Sequence, residues 1–240
     1  MSGVWAAAII GGGAKQHAHA ILRGGGLYTE QMWLMALETT SAHGSLALLE
    51  DGEVRAARDL EAGRYSTELF DAMAGLAREA GLELAEIGAW AAANGPGSFT
   101  GVRVGLTAVK GLIEVWRRPA VAVSTLAAVA EAAGAAPVLA ALDAARGEVY
   151  FGLYPGGEEG LESAAAFAER ARRSGGLVAT PHEQVRALLP EVAVRLVPRR
   201  LAPAVGRVGW ARLGREDSDD ALRLEANYIR RSDAEIFHRS

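Results

Sequence analysis

The chain has 240 residues, half of them apolar, enough for one large domain or two small ones around a sizeable core. Its net charge of -4 is mildly acidic, and nothing in the sequence resembles the basic face that a direct nucleic-acid binder needs to neutralise phosphates. With no cysteine it has no disulfide, thiolate nucleophile or cysteine–zinc site, as suits a cytoplasmic protein, and no apolar run reaches the roughly 18 residues that cross a bilayer.

Residues 1–31 differ from the rest. Trp5 to Ile10 is too short for a membrane span and has no basic segment before it, so it makes a poor signal peptide. Glycine triplets bracket His17-Ala18-His19, a pattern that reads as a flexible leader in preference to a metal site. Met32, just before the first strand pattern, is the expected natural first residue. Trp33 to Glu38 reads as a strand. Gly44–Leu49 and Val54–Leu60 read as a hairpin around Asp51-Gly52, a good two-residue turn. Ser66 or Thr67 is the expected cap of a helix running to Ala80, with Leu69, Phe70, Met73, Leu76 and Ala77 as its apolar positions. Ile87 to Ala93 reads as a buried strand, followed by a glycine-rich loop and a helix to about Trp116.

The second part opens at Pro119. A short strand at Ala120–Val123 leads to a helix capped by Ser124 and ending near Gly134. Val138–Leu142 and Glu148–Tyr154 read as paired strands, ended by Pro155-Gly156-Gly157. A helix over Ser163–Arg173, a strand at Leu177–Ala179, a short helix from Pro181 to Leu189, a strand at Val192–Val197 and a helix at Leu201–Leu213 complete the pattern. No internal repeat stands out. Pattern alone supports a mixed α/β class.

The loop carries the most information. Gly95-Pro96-Gly97-Ser98-Phe99-Thr100-Gly101, continued by Arg103 and Gly105, joins a strand to a helix opened by hydroxyl residues. Such a backbone nest at a helix N-terminus can hold an anion or pack closely on another backbone. In the helix, Val102, Leu106, Val109, Ile113 and Trp116 share an apolar stripe, while Arg103, Thr107, Lys110, Glu114 and Arg117 share a polar one. Gly101, Gly105 and Ala108 form a third stripe almost without side chains. Each helical glycine costs about 1 kcal/mol relative to alanine, so something approaches the backbone there, either within the domain or from a partner.

Several chemistries are open to these residues. Glu38-Thr39-Thr40-Ser41 supplies an acid and hydroxyls at a strand end, and Asp143 with Arg146 supplies a second acid and a cation. An ATPase or kinase would use both, but glycine is absent from the first turn until Gly44, which hinders close approach to a phosphate. Ser98 and Thr100 lack a nearby histidine and the Gly-x-Ser-x-Gly spacing, so they read as helix caps. His43 follows the first strand and reads as a solvent-facing loop residue.

The string from Gly95 to Gly105 resembles the GPGSFTGxRxG element of TsaB (YeaZ-type) proteins almost letter for letter. Leu37–Ser41, Arg64–Leu69, Leu142–Tyr150 and Asn227–Glu235 are similar to further elements of that family, in the right order. Three features depart from it: Glu38 replaces the usual Asp, Tyr65 stands where a histidine is common, and the leader is extra. The resemblance implies an actin-like (ASKHA, ribonuclease H-like) α/β fold with mixed sheets flanked by helices in two subdomains, residues 32–117 and 118–240, after a leader at 1–31. It implies a non-catalytic scaffold in the synthesis of N6-threonylcarbamoyladenosine at position 37 of bacterial tRNA. The direct partner implied is TsaD, with TsaE in the same complex, tRNA contacted indirectly, a homodimer when alone, and no membrane. Leu69, Phe70, Met73, Leu76, Ala77, Gly101, Gly105 and Ala108 would meet the partner, while Glu38, Thr39, Asp143 and Arg146 would be a vestigial nucleotide site. No cofactor is expected. The related TsaD carries an HxxxH metal pair on a helix. Histidines here stand at 17, 19, 43, 182 and 238, no two of them four apart, so one helical face cannot present both and no metal site is expected. The alternatives are an actin-like ATPase or small-molecule kinase and, more remotely, a glycoprotease-like peptidase.

Overall fold

The computed structural model describes residues 20–23, 26–29, 31–61, 63–215, 217–219 and 224–230. Within the stretch expected to be a flexible leader, β1 (Ala20–Arg23) and β2 (Gly26–Thr29) pair as an antiparallel hairpin. His17-Ala18-His19 lies outside the described residues, as does the end of the Asn227–Glu235 element, from 231 onward.

Period-two alternation builds the first sheet. Along β3 (Trp33–Glu38), Met35 and Leu37 face one way and Leu34 and Ala36 the other, all buried. β4 (Ser45–Glu50) and β5 (Glu53–Asp59) follow antiparallel, joined at Asp51 and Gly52, whose positive φ values of 49° and 86° match the right-handed twist of a two-residue hairpin. β6 (Ala89–Ala93) runs parallel to β3, and β7 (Ala120–Val123) parallel to β6, giving the order β5-β4-β3-β6-β7. One face is covered by α1 (Tyr65–Glu79) and α2 (Phe99–Trp116). Leu69, Met73 and Leu76 of α1 and Val102, Leu106 and Val109 of α2 pack on Met35, Leu37, Leu46, Leu48 and Trp90.

The second sheet repeats this order. β8 (Val138–Asp143), β9 (Glu148–Tyr154) and β10 (Glu158–Ser163) form an antiparallel meander, and β11 (Leu177–Thr180) and β12 (Val194–Leu196) add in parallel, giving β10-β9-β8-β11-β12. α4 (Ala164–Ser174) and the short α5 (Glu183–Ala187) cover one face through Phe167, Ala171 and Val185. The two remaining helices are exchanged. α3 (Thr125–Ala133), which follows the first sheet, packs Leu126, Val129 and Ala133 on the second. α6 (Ala202–Leu213), which follows the second, packs Ala202 and Val205 on the free face of the first. α3 and α6 also touch each other. Two five-stranded mixed sheets of identical order, flanked by helices, form the expected actin-like fold.

Three expectations require correction. The boundary at 117/118 cuts the first sheet, because β7 is its edge strand. α6 and the last described residues also belong to the first unit: Asp219 bonds across to Ala120 and Ala122, and Leu224 is buried in the first core. A sheet has two apolar faces, and the second face of the first sheet is covered by a helix from the far end of the chain. α1 begins at Tyr65 with Arg64 at its cap and no side-chain bond there, so neither Ser66 nor Thr67 caps it. β10 has no counterpart among the expected strands, since Glu158-Glu159-Gly160-Leu161-Glu162-Ser163 is a charged edge strand with little apolar alternation.

Candidate functional site

The glycine-rich loop is shaped by what lies under it. Ser98 caps α2, its hydroxyl accepting the Gly101 amide at 3.2 Å. The Ser98 amide donates to the Thr40 carbonyl at 2.6 Å, and the Thr125 amide, at the start of α3, donates to the Gly95 carbonyl at 2.8 Å. Gly95 has φ 105°, a region that favours glycine. A β-carbon on Gly97 would stand 2.8 Å from the Thr40 side chain, one on Gly105 2.5 Å from the Thr39 hydroxyl, and one on Gly101 3.0 Å from the Thr39 carbonyl carbon. Pro96 is buried and Thr100 exposed. The small-residue stripe therefore serves packing within the fold: it lets the first turns of α2 lie on the backbone that leaves β3. Gly101, Gly105 and Ala108 are buried there and offer nothing to a partner.

The strand end beneath is equally occupied. Glu38 is fully buried. Its Oε1 accepts the Thr40 amide and hydroxyl, both at 2.6 Å, and its Oε2 accepts the Ser41 hydroxyl at 3.3 Å. Burial pushes its carboxyl above the ordinary value, opposed by these hydrogen bonds. Thr39 donates its hydroxyl to the Gly101 carbonyl at 2.8 Å. In the same loop the His43 amide is taken by the Ser41 hydroxyl and the Gly44 amide by the Tyr65 hydroxyl, which itself donates to the Ser41 carbonyl at 2.8 Å. A phosphate-wrapping hairpin needs free amides pointing into the cleft. Here the amides of Thr40, His43 and Gly44 are satisfied by side chains, and Tyr65, a departure from the family pattern, is one of the clamps.

The four positions expected as a vestigial nucleotide site differ in their access to the cleft. Glu38 and Thr39 lie beneath α2. Of the four, Asp143 alone lines the cleft between the sheets, a cavity of about 370 Å³. Its Oδ1 accepts the Ala145 amide at 2.9 Å. Arg146 sits in the β8–β9 turn, where Ala145 and Arg146 have φ 56° and 54°. The cleft also holds His43, His182, Arg199 and Arg230, which no sequence pattern assembles because they come from four separate loops.

The expected partner positions on α1 also need correction. Leu69, Met73, Leu76 and Ala77 are buried in the core, because a helix lying on a sheet spends its apolar stripe on that sheet. Phe70 alone of that set faces out, 51% exposed. Two more apolar side chains face out from α2: Phe99 at 41% and Val115 at 70%. A signal for Val115 was present, since it is apolar yet falls outside the stripe through Ile113 and Trp116. Phe99 stacks on Tyr228 with ring centroids 5.1 Å apart, the Arg103 guanidinium lies 3.7 Å over the Phe99 ring, and Arg103 Nε donates to the Tyr228 hydroxyl at 3.1 Å. The last described segment is tied to the loop by the Asn227 amide on the Asn94 carbonyl at 2.7 Å and by Asn94 Nδ2 on the Glu225 carbonyl at 3.0 Å.

Among the described residues no group of three or more His, Asp or Glu is placed to hold a metal ion, and no helix is long and apolar enough to cross a membrane.

Known proteins resemble this one along most of its length. A family model described as "TsaD: tRNA N6-adenosine threonylcarbamoyltransferase" matches residues 60–205. The tRNA threonylcarbamoyladenosine biosynthesis protein TsaB of Escherichia coli (strain K12) is 37% identical over 134 residues, 54% of this chain and 58% of its own length. Its namesake from Haemophilus influenzae is 36% identical over 126 residues, 51% of this chain and 53% of its own. The chain thus spans little more than half the length of the curated relatives it matches. Among solved structures, YeaZ from Pseudomonas aeruginosa superposes with a TM-score of 0.71 at 28% identity, covering 82% of this chain and 99% of that one. A second Pseudomonas aeruginosa structure, described as similar to peptidase YeaZ, gives 0.70 at 29% identity, covering 83% of this chain and all of that one.

Proposed function

This chain belongs to the family of TsaD, tRNA N6-adenosine threonylcarbamoyltransferase, and is of the TsaB (YeaZ) type; from that premise we propose that it is a non-catalytic subunit in the synthesis of tRNA N6-threonylcarbamoyladenosine, holding TsaD through the outer face of α1 and α2. The observation that carries this reading is the trio Phe70, Phe99 and Val115. These two neighbouring helices already fill the core with their inner stripes, yet still present three large apolar side chains to solvent. Scattered exposed residues are ordinary, but apolar side chains on adjacent helices are what a helix-on-helix contact uses. The occupied amides around Glu38 weigh against an ATPase or kinase, and of the four positions for such a site Asp143 alone lines the cleft. TsaE in the same complex, indirect contact with tRNA and self-association when TsaD is absent are parts of the same proposal.

The test is co-purification with TsaD of chains carrying Phe70→Glu or Val115→Glu. Both sites are exposed, so the circular dichroism spectrum and melting temperature should match those of the unaltered chain while capture of TsaD falls at least tenfold. Capture at the original level by the folded variants refutes the assigned face.

A further inference from the structure

The polar groups lining the cleft between the two sheets are strongly one-sided. His182 Nδ1 accepts the Asp143 amide at 2.8 Å. An amide can only donate, so this nitrogen carries a lone pair and the ring proton sits on Nε2. That Nε2–H has no partner among the described residues. Arg199 Nη1 stands 2.8 Å from His43 Nε2. A guanidinium has no acceptor, so His43 Nε2 is also unprotonated, and Arg199 spends one donor on a neutral ring. Its neighbours are paired differently: Arg200 with Asp59 and Arg207 with Glu131. Arg199 has no carboxylate partner among the described residues. Burial holds His182 below the usual imidazole value, opposed by the Asp143 charge and reinforced by Arg199. Among the described residues Asp143 is the one carboxylate lining the cavity, and its Oδ1 is turned to its own loop.

We propose that this cleft binds a small oxyanion, a carboxylate or a phosphate group, gripped by the free donors of Arg199 and by His182 Nε2–H. The grip comes from side chains, because the amides of Thr40, His43 and Gly44 in the first loop are already bonded. The guanidinium supplies a fork that matches two oxygens, and the imidazole a third, neutral donor from a separate loop. The cavity of about 370 Å³ leaves room for an organic body attached to the anionic group. His43, on the loop that leaves the first sheet, touches Arg199 across the cleft, so its ring senses an occupant of the guanidinium. None of this depends on the role of α1 and α2.

The experiment is a proton NMR titration of the full chain with inorganic phosphate, and separately with acetate, at constant ionic strength held by chloride. The imidazole resonances of His43 and His182, assigned by loss in His43→Gln and His182→Gln, should move along a saturable curve with at least one of the two probes. Saturation by phosphate alone identifies a phosphate group as the anion, and saturation by acetate alone a carboxylate. Arg199→Gln should weaken the binding at least tenfold, whereas Arg200→Gln, whose arginine is neutralised by Asp59, should leave it within twofold. No saturable shift with either probe overturns the proposal. So does equal binding by the folded Arg199→Gln chain, which would mark an adventitious ion only.

Discussion

Replacing Gly101 by alanine tests the assignment of the small-residue stripe to packing within the chain. The added β-carbon would lie 3.0 Å from the Thr39 carbonyl carbon and closer still to its oxygen. Carbon atoms rest at about 3.5–4.0 Å, so helix and strand end would have to separate by half an ångström or more. Both partners are backbone, and neither can rotate away. Overpacking of this kind costs about 1–3 kcal/mol, and the absence of a yielding side chain places Gly101→Ala at the upper end. Separation also strains the buried bond from the Thr39 hydroxyl to the Gly101 carbonyl, a loss of about 1 kcal/mol. The helix propensity of alanine returns about 1 kcal/mol. The net loss is about 3 kcal/mol, a fall in melting temperature of roughly 6–12 °C for a chain of this size. Gly111, on the same helix, has nothing within 4 Å of its would-be β-carbon. Gly111→Ala should therefore raise stability by up to about 1 kcal/mol, roughly 2–4 °C. Thermal melts followed by circular dichroism measure both. If Gly101→Ala melts at or above the temperature of the unaltered chain, the stripe does not serve this contact.

Met73→Ala, in the buried stripe of α1, should cost about 2–5 kcal/mol in urea unfolding, whereas Phe70→Ala on the outer face should change stability by less than about 1 kcal/mol; similar losses at both would contradict the burial of Met73 against the exposure of Phe70. Glu38 supplies a prediction with a sign. Its folded pKa is raised, so the folded state holds the proton more tightly than the unfolded chain. The favourable contribution is full below the ordinary value of 4.5 and is lost as pH rises through the folded pKa. Glu38→Gln has no such proton to lose. The stability of the variant relative to the unaltered chain should therefore improve as pH rises from about 4.5 toward neutrality, read as the difference in urea midpoints. A relative decline over that range would show that the carboxylate is stabilised by its hydrogen bonds more than it is penalised by burial.

Much of this protein was readable in its order of residues. Alternation along Trp33–Glu38, the Asp51-Gly52 turn, the Ser98 and Ser124 caps and the glycine stripe are local signals. They act through neighbours a few residues away, so the strands and helices they specify lie close to where those signals put them. The resemblance carried by Gly95 to Gly105 likewise led to the family. Burial is different, since it depends on what arrives from elsewhere in the chain. Leu69, Phe70, Met73 and Leu76 look alike in sequence, yet three of them fill the core and Phe70 faces solvent. β10, with its charged sequence, becomes a strand only because β9 offers it an edge.

By itself the sequence determined the type and order of the elements and the need for something to approach α2 closely, because propensity, periodicity and glycine placement are properties of short stretches. Only the tertiary structure decided that this something is Thr39 and not a partner, that α3 and α6 exchange sheets, and that His43, Asp143, His182 and Arg199 share one cleft. These are meetings between distant residues, His43 and Arg199 standing 156 positions apart, and no local pattern records which distant segment will cover a given face.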